Sequence, residues 1–536
     1  MGFKTPSGAG YGGNKHIGNA GEILTTIDNV QLSSGYPESI GDLPTLSNYT
    51  AGDIQASCIT VQPPTPEPYF GAGGTAIGES RIFVGNHTYN SGVGCVHMFS
   101  FDGDYLGRID APETSTSGDT GFGWGIYCVD GLLIVNSNDY DNDPNAYDNG
   151  GDLDVGRTYV YDQMGNLLRT LPIPSTLYTS SDSFGMAAAA GCGRIVVGRQ
   201  RASGNYRFTP PDGDPGYPGD PGTGSFQGNA TIYDYNGNII CPNLLWKNEM
   251  EYYSTTSSNQ YGNPDPMVYD YDRPFYSASF GGRTYGGTNT AQQAIGYGKI
   301  LVSALDTSAQ YSPNQAASQA NMGLVFMFDL NGNFEKILYH PWQTKYTTSL
   351  QTSVKVGEDI KIGSGRIMIS AIRVNNPSSR TIGARYIYDM DGNYQFSILG
   401  CQDSPTDSTF SQPYQEYGCG IYGGIIASRA FYPAGTVSSA PNSIDNFAPT
   451  ELYDINGRFI DVVYAEDMLG NTNATDDTAG TSFSTGFGYA SAKISLGYGI
   501  LVLSNNWNTT GACINIFKIP TTYDGLIERS TGVTQN

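Results

Sequence analysis

The chain has 536 residues, 27 of them basic and 50 acidic, for a formal net charge of −23. A surface of that sign repels phosphate backbones, which excludes nucleic acid as a natural partner. With 70 Gly, 39 Tyr and 14% charged residues, the composition calls for strands and tight turns. It is unlike a helical bundle, which draws on Ala, Glu, Lys and Leu.

Residues 1–66 are rich in Gly, Ser, Thr and Pro, with one candidate strand over residues 57–62. The segment reads as an extended N-terminal arm. It docks on a neighbouring subunit, or is a loose terminus, or its Cys58–Gln62 stretch pairs with an edge strand of the last repeat and helps to close a ring. The first residues hold no apolar run of signal-peptide length. No stretch reaches the roughly 18 apolar residues of a membrane helix. The expectation is a protein made in a cytoplasm, with no membrane partner.

From residue 67 to residue 530 one unit recurs, and residues 531–536 form a short tail. The most recognisable part of the unit is a hairpin: an aromatic residue, Asp, one or two residues, Gly, a polar residue, then an apolar strand. Copies begin at Phe99-Ser-Phe-Asp-Gly103, Tyr161-Asp-Gln-Met-Gly165, Tyr233-Asp-Tyr-Asn-Gly237, Phe328-Asp-Leu-Asn-Gly332, Tyr388-Asp-Met-Asp-Gly392 and Tyr453-Asp-Ile-Asn-Gly457. A looser seventh copy is Tyr523-Asp-Gly525. Asn-Gly and Asp-Gly between apolar strands are strong hairpin signals, and they are read here as turns with positive φ at both central residues.

Upstream of each copy lies a second hairpin. It ends in an unbroken apolar run such as Leu132-Leu-Ile-Val135, Ile300-Leu-Val302 or Ile367-Met-Ile369. Such runs suit a strand buried on both faces. Phe-Gly or Tyr-Gly precedes several of them, as at Phe70-Gly71, Phe122-Gly123 and Phe184-Gly185. Four antiparallel strands repeated seven times predict an all-β fold, a seven-bladed β-propeller of four-stranded blades with an extended N-terminal arm. The turn glycines lie farther apart than in a compact blade of about 40–45 residues. The excess is assigned mainly to the loop after the buried strand, so inserted loops should gather on one face.

Phe-Gly, a buried strand ending in Gly or Ser, then Gly-x-[Val/Thr]-Tyr-[Val/Ile] resembles the FG-GAP repeat of integrin-α-type propellers, over roughly residues 67 to 530. Residues 121–170 match best. That family's calcium units carry an Asp-rich loop before the buried strand. Here Val-Asp130-Gly and Gly-Cys192-Gly stand in its place, so those calcium sites are not carried over.

One acidic stretch remains a candidate Ca²⁺ site: Asp139, Asp141, Asp143 and Asp148, where alternating carboxylates place several hard oxygens close together. Pro144 stands where an EF-hand-like loop needs Gly, and the competing reading is a solvated acidic loop. No other cofactor is implied. The stretch Gly213–Gly222 has the collagen period over too few triplets for a triple helix, and reads as a polyproline-like loop.

The eight cysteines, Cys58, Cys95, Cys128, Cys192, Cys241, Cys401, Cys419 and Cys513, form no CxxC pair and several sit in apolar strands. They read as buried reduced thiols. Of the four histidines, His97 falls in an aromatic strand and reads as packed. There is no GxSxG elbow, HExxH or Cys/His metal spacing, so no enzyme is expected.

Tyr-, Asn-, Ser- and Thr-rich stretches such as Tyr252–Asn259 and Tyr311–Gln315 have the chemistry of a recognition surface. The functional expectation is a structural virion protein of a tailed bacteriophage, in the tail or on the capsid surface. It would be present in several copies, held to other virion proteins by the arm, and able to meet a host-surface glycan or receptor. The alternatives are a bacterial FG-GAP-type adhesin or glycan-binding protein, which should carry an export signal, and a carbohydrate-active propeller enzyme, which should present two facing carboxylates in its central funnel.

Overall fold

The computed structural model describes residues 53–113, 120–138, 140, 156–174, 184–202, 227–242, 244, 292–304, 324–338, 356–357, 359–375, 381–399, 418–429, 450–465, 494–504 and 512–519. They form seven antiparallel sheets of four strands each. Blade one is Gly74–Ile77, Ile82–Asn86, Cys95–Phe99 and Tyr105–Asp110. Blade two is Phe122–Val129, Leu132–Ser137, Arg157–Asp162 and Leu167–Thr170. Blades three to six repeat the pattern from Phe184, Gln293, Ile360 and Cys419.

Side chains alternate across a strand, and each blade uses both of its faces. Phe83 packs with blade two, whereas Ile82 and Val84 on either side of it pack with blade seven. This explains the unbroken apolar runs: both neighbours of a blade demand burial. Seven apolar clusters fill the seven interfaces and run once around the ring, the last joining Val502 and Ile516 of blade seven to Ile82 and Phe99 of blade one.

Blade seven is closed by the N-terminal part of the chain. Its strands are Ile494–Gly497, Ile500–Ser504 and Ile514–Lys518, and its outer strand is Ile59–Val61, paired antiparallel with Ile514–Ile516. The ring therefore takes in residues upstream of position 67. Tyr523-Asp-Gly525 lies outside the described residues. The register places Phe517-Lys518 where Tyr161-Asp162 stands in blade two. Ser57 Oγ accepts the Lys518 N–H at 2.9 Å, a donor that the next turn would satisfy in the other blades.

The two kinds of turn divide the work differently from the sequence reading. The two-residue turns with positive φ at both positions join the first and second strands: Asp130-Gly131, Cys192-Gly193, Tyr297-Gly298, Ser364-Gly365, Gly423-Gly424 and Tyr498-Gly499. The aromatic-Asp hairpins join the third and fourth strands, and there only Gly takes positive φ. In blade four Gly332 N–H donates to Asp329 O, and a register shift follows between Met327 and Phe328. That is a turn with Asp at its first position and a glycine bulge at its fourth.

The Asp side chain is the clamp of that turn. Asp329 Oδ1 accepts the N–H groups of Asn331 and Asn333, and Oδ2 accepts the Asn333 amide. Asp162, Asp234 and Asp389 repeat all three bonds. In blade one Ser100, not Asp102, fills the role, with its Oγ accepting the N–H groups of Asp102 and Asp104.

Burial raises the affinity of Asp329 for its proton, but the Asn333 amide and the backbone N–H groups outweigh it and hold its carboxyl below 3.8. A carboxylate held below its unfolded value stabilises the fold at neutral pH, and that contribution fades as pH falls through the native value. The expected result is that Asp329→Asn flattens the acid limb of a urea-midpoint profile below about pH 4. An unchanged acid limb would assign the wild-type sensitivity to other carboxylates.

Candidate functional site

In an antiparallel four-strand meander the first-to-second and third-to-fourth connections lie at one end of the blade. The other two connections lie at the opposite end. Because the seven first strands surround one axis in the same sense, all tight turns fall on one face of the ring. All longer segments leave from the other: 138–156, 203–226, 305–323 and 430–449 after second strands, and 242–292, 339–359, 400–418 and 464–493 after fourth strands. The longest follows the outer strand of blade three rather than a buried strand, so the inserted length is shared between two kinds of connection.

The proposed Ca²⁺ ligands Asp139, Asp141, Asp143 and Asp148 lie outside the described residues. Tyr140 between them is described. It is buried, the Arg157 guanidinium stands 5.0 Å over its ring, and its carbonyl accepts the Gly156 N–H at 3.0 Å. Gly213–Gly222, Tyr252–Asn259 and Tyr311–Gln315 also lie outside the described residues.

A serine of the second strand anchors the incoming connection on this face. Ser370 Oγ donates to Asp359 O at 3.0 Å and accepts the Asp359 N–H at 2.6 Å. Ser303 does the same with Gln292, and Ser137 donates to Thr120 O. The Ser that ends the buried run is thus a structural tie.

Blade one departs from the pattern. Asn86 takes the place of Ser137, and its side-chain amide donates to Pro68 O and to Glu67 Oε2 at 3.0 Å. Glu67 belongs to the segment 62–73 that joins the closing strand to blade one. Its Oε2 lies 2.9 Å from His97 Nε2 and 4.0 Å from Cys95 Sγ, and Cys95 Sγ is 3.3 Å from the same ring nitrogen. Arg108 Nη1 approaches the other oxygen, Oε1, at 3.8 Å while its Nε holds Asp110 at 2.7 Å. Tyr105 OH is 3.4 Å from His97 Nδ1. Burial pushes the Cys95 thiol pKa up and the Glu67 charge adds to it, with Arg108 pulling the other way.

Among the described residues this is the one group of three or more His, Cys, Asp or Glu side chains whose donor atoms converge closely enough to share a metal ion. Reading His97 as simply packed missed it. The local signal was a break in the repeat: His97 occupies the place of Tyr159 and Tyr386, which keep an aromatic ring there in blades two and five. Glu67 could be brought in only by the fold.

No protein-family model matches the chain. No curated protein matches it by sequence. Solved structures do. The chain is similar to the β-propeller domain of the Trilobed protease from Pyrococcus furiosus, at 10% identity and a TM-score of 0.37, covering 86% of this chain and 97% of that one. It is also similar to the WD40 domain of coronin from Toxoplasma gondii, at 8% identity and a TM-score of 0.35, covering 86% of each. The assignment of a seven-bladed propeller rests on the strand pairing itself.

A second buried charge cluster lies nearer the axis. Lys361 Nζ is 3.2 Å from Asp359 Oδ1, and Asp359 Oδ2 accepts the N–H of Cys419 at 3.0 Å and its thiol at 3.2 Å. Burial alone would lower the Lys361 pKa, but the Asp359 carboxylate more than offsets it and the pKa is raised. This is a mutually satisfied pair that ties blade five to blade six.

The thiols divide by depth. Of the seven described, none is in a disulfide; Cys95, Cys128, Cys192, Cys419 and Cys513 are buried, and Cys58 and Cys241 are half-buried. Burial drives the Cys192 pKa up to about 12, so it is a packed thiol and not a nucleophile.

Proposed function

We propose that the chain is a structural virion protein of a tailed bacteriophage, a ring that displays a recognition face and is attached to its particle by its N-terminal segment. The observation that carries this reading is the asymmetry of the ring: every long segment leaves one face, and the other is finished by tight turns. A rigid scaffold with its variable chain on one face is how loops are presented to a partner. The Tyr-, Asn-, Ser- and Thr-rich composition of those segments supports contact with a polar host-surface partner such as a glycan. The N-terminal segment enters at the closing strand of blade seven, which supports its use as the tether to another virion protein. The FG-GAP-like pattern of Phe-Gly and Gly-x-Thr-Tyr159 is consistent with this reading at the level of fold.

The test is mass spectrometry of gradient-purified particles from the source culture. Several copies per particle are the expected outcome. Recovery only from cells or medium would overturn the virion reading and direct work to glycan binding and hydrolysis.

A further inference from the structure

We propose that Glu67, Cys95 and His97 form a binding site for a soft divalent cation, Zn²⁺, that latches the closure of the ring. The donor set is one carboxylate, one thiolate and one imidazole, which suits tetrahedral zinc and not the all-oxygen shells of Ca²⁺ or Mg²⁺. The geometry is close to that of a bound site. Bond lengths of about 2.0–2.3 Å in a tetrahedron put donors roughly 3.3–3.6 Å apart. The three separations here are 2.9, 3.3 and 4.0 Å, so shifts of a few tenths of an ångström seat an ion.

The surroundings point the same way. Tyr105 OH contacts His97 Nδ1 and leaves Nε2 facing the other two donors, the arrangement by which an outer partner orients a ligating imidazole. Arg108 and Asn86 hold the Glu67 carboxylate with Oε2 turned inward. Cys95 and His97 are rigid on a strand inside a sheet, and Glu67 is carried by the segment that joins the closing strand to blade one. Binding therefore cross-links the point where the chain completes its ring. Three protein donors leave the fourth position of a tetrahedral ion to be filled by water. The ion enters beside Arg108, which is 30% exposed, and the Cys95 thiol proton is released to solvent as the bond to sulfur forms.

The experiment is titration of the metal-depleted full chain with Co²⁺, followed by displacement with Zn²⁺. One equivalent of Co²⁺ is expected to give a thiolate-to-cobalt charge-transfer band with the visible bands of a tetrahedral site. Zn²⁺ should abolish both and raise the melting temperature. Cys95→Ser should remove the charge-transfer band, and Glu67→Gln should weaken binding by roughly tenfold or more. Cys241→Ser, at a half-buried thiol elsewhere, should change neither. No charge-transfer band in the wild-type chain would overturn the proposal whatever the variants do. So would a band that survives in Cys95→Ser, or a wild-type melting temperature indifferent to Zn²⁺.

Discussion

A chain beginning at residue 63 is expected to lose most of the stability of the ring. Residues 53–62 supply the outer strand of blade seven and more. Val61 and Ile54 are buried, Ile59 packs against blades one and seven, and Ile54 sits in the cluster between blades six and seven. At about 1.5–3 kcal/mol for each buried aliphatic side chain, these contacts alone are worth several kcal/mol. Gln55 adds a reciprocal pair with the Tyr464 backbone at 2.7 and 3.1 Å, Thr60 accepts the Asn515 amide at 2.8 Å, and Ser57 caps Lys518. Each contributes about 1 kcal/mol.

The total is on the order of 5–10 kcal/mol, comparable to the whole stability of an ordinary domain. The truncation would also bare the edge of Ile514–Lys518, an apolar strand and a template for pairing between chains. The expected observation is a large fall in urea midpoint together with self-association on size exclusion. A chain beginning at residue 53 keeps the strand and is the control, since the difference between the two isolates residues 53–62. Equal midpoints for the two would show that the ring does not depend on this closure.

The blades were legible because their determinants are local. Leu132-Leu-Ile-Val135 announces a doubly buried strand, and Tyr161-Asp-Gln-Met-Gly165 announces a hairpin, within a few residues of chain. The turn geometry was misread because Asn-Gly was given positive φ at both residues. The Asp ahead of it, accepting two backbone N–H groups, selects a turn in which only Gly needs the left-handed region. The seventh blade was placed too far downstream because its outer strand comes from the opposite end of the chain. The alternative that Cys58–Gln62 pairs with the last repeat is the one the structure bears out, although nothing local at Ile514-Asn-Ile-Phe-Lys518 selects it over docking on a neighbouring subunit.

The group of Glu67, Cys95 and His97 was not legible for the same reason. Cys95-Val-His97 is two residues of ligand spacing in a strand, unremarked until Glu67 is folded against it. Conversely, the Asp of each hairpin is a conspicuous recurring carboxylate. In five blades it is consumed by its own turn. A side chain whose hydrogen-bonding capacity is spent on the backbone offers little to a ligand.

The packing between blades predicts an equally large effect from a single methyl group. Gly156, just before the third strand of blade two, makes a parallel bridge to Phe184 at the start of blade three. A Cβ there would lie 1.9 Å from Phe184 O and 2.7 Å from Phe184 N, so Gly156→Ala drives backbone into backbone. Gly94 stands in the same relation to Phe122 between blades one and two, at 2.0 Å from Phe122 O. This close approach explains why the Phe-Gly of one blade and the Gly before the aromatic strand of the preceding blade occur together in the sequence.

Both Gly156, at φ +72, and Gly131, at φ +78, sit in the left-handed region. Ala costs about 1–2 kcal/mol there through strain alone. A methyl group on Gly131 would meet nothing within 4 Å, so Gly131→Ala measures that strain and nothing else. Gly156→Ala adds a collision that is relieved only by prising blades two and three apart across the cluster of Ile134, Val160, Phe184 and Ile195. Its cost should exceed about 4 kcal/mol, the range reserved for changes that break a core. Urea midpoints of the two variants decide the matter: a drop in Gly156→Ala several times that in Gly131→Ala locates the constraint between blades, and equal drops would locate it in the backbone torsion.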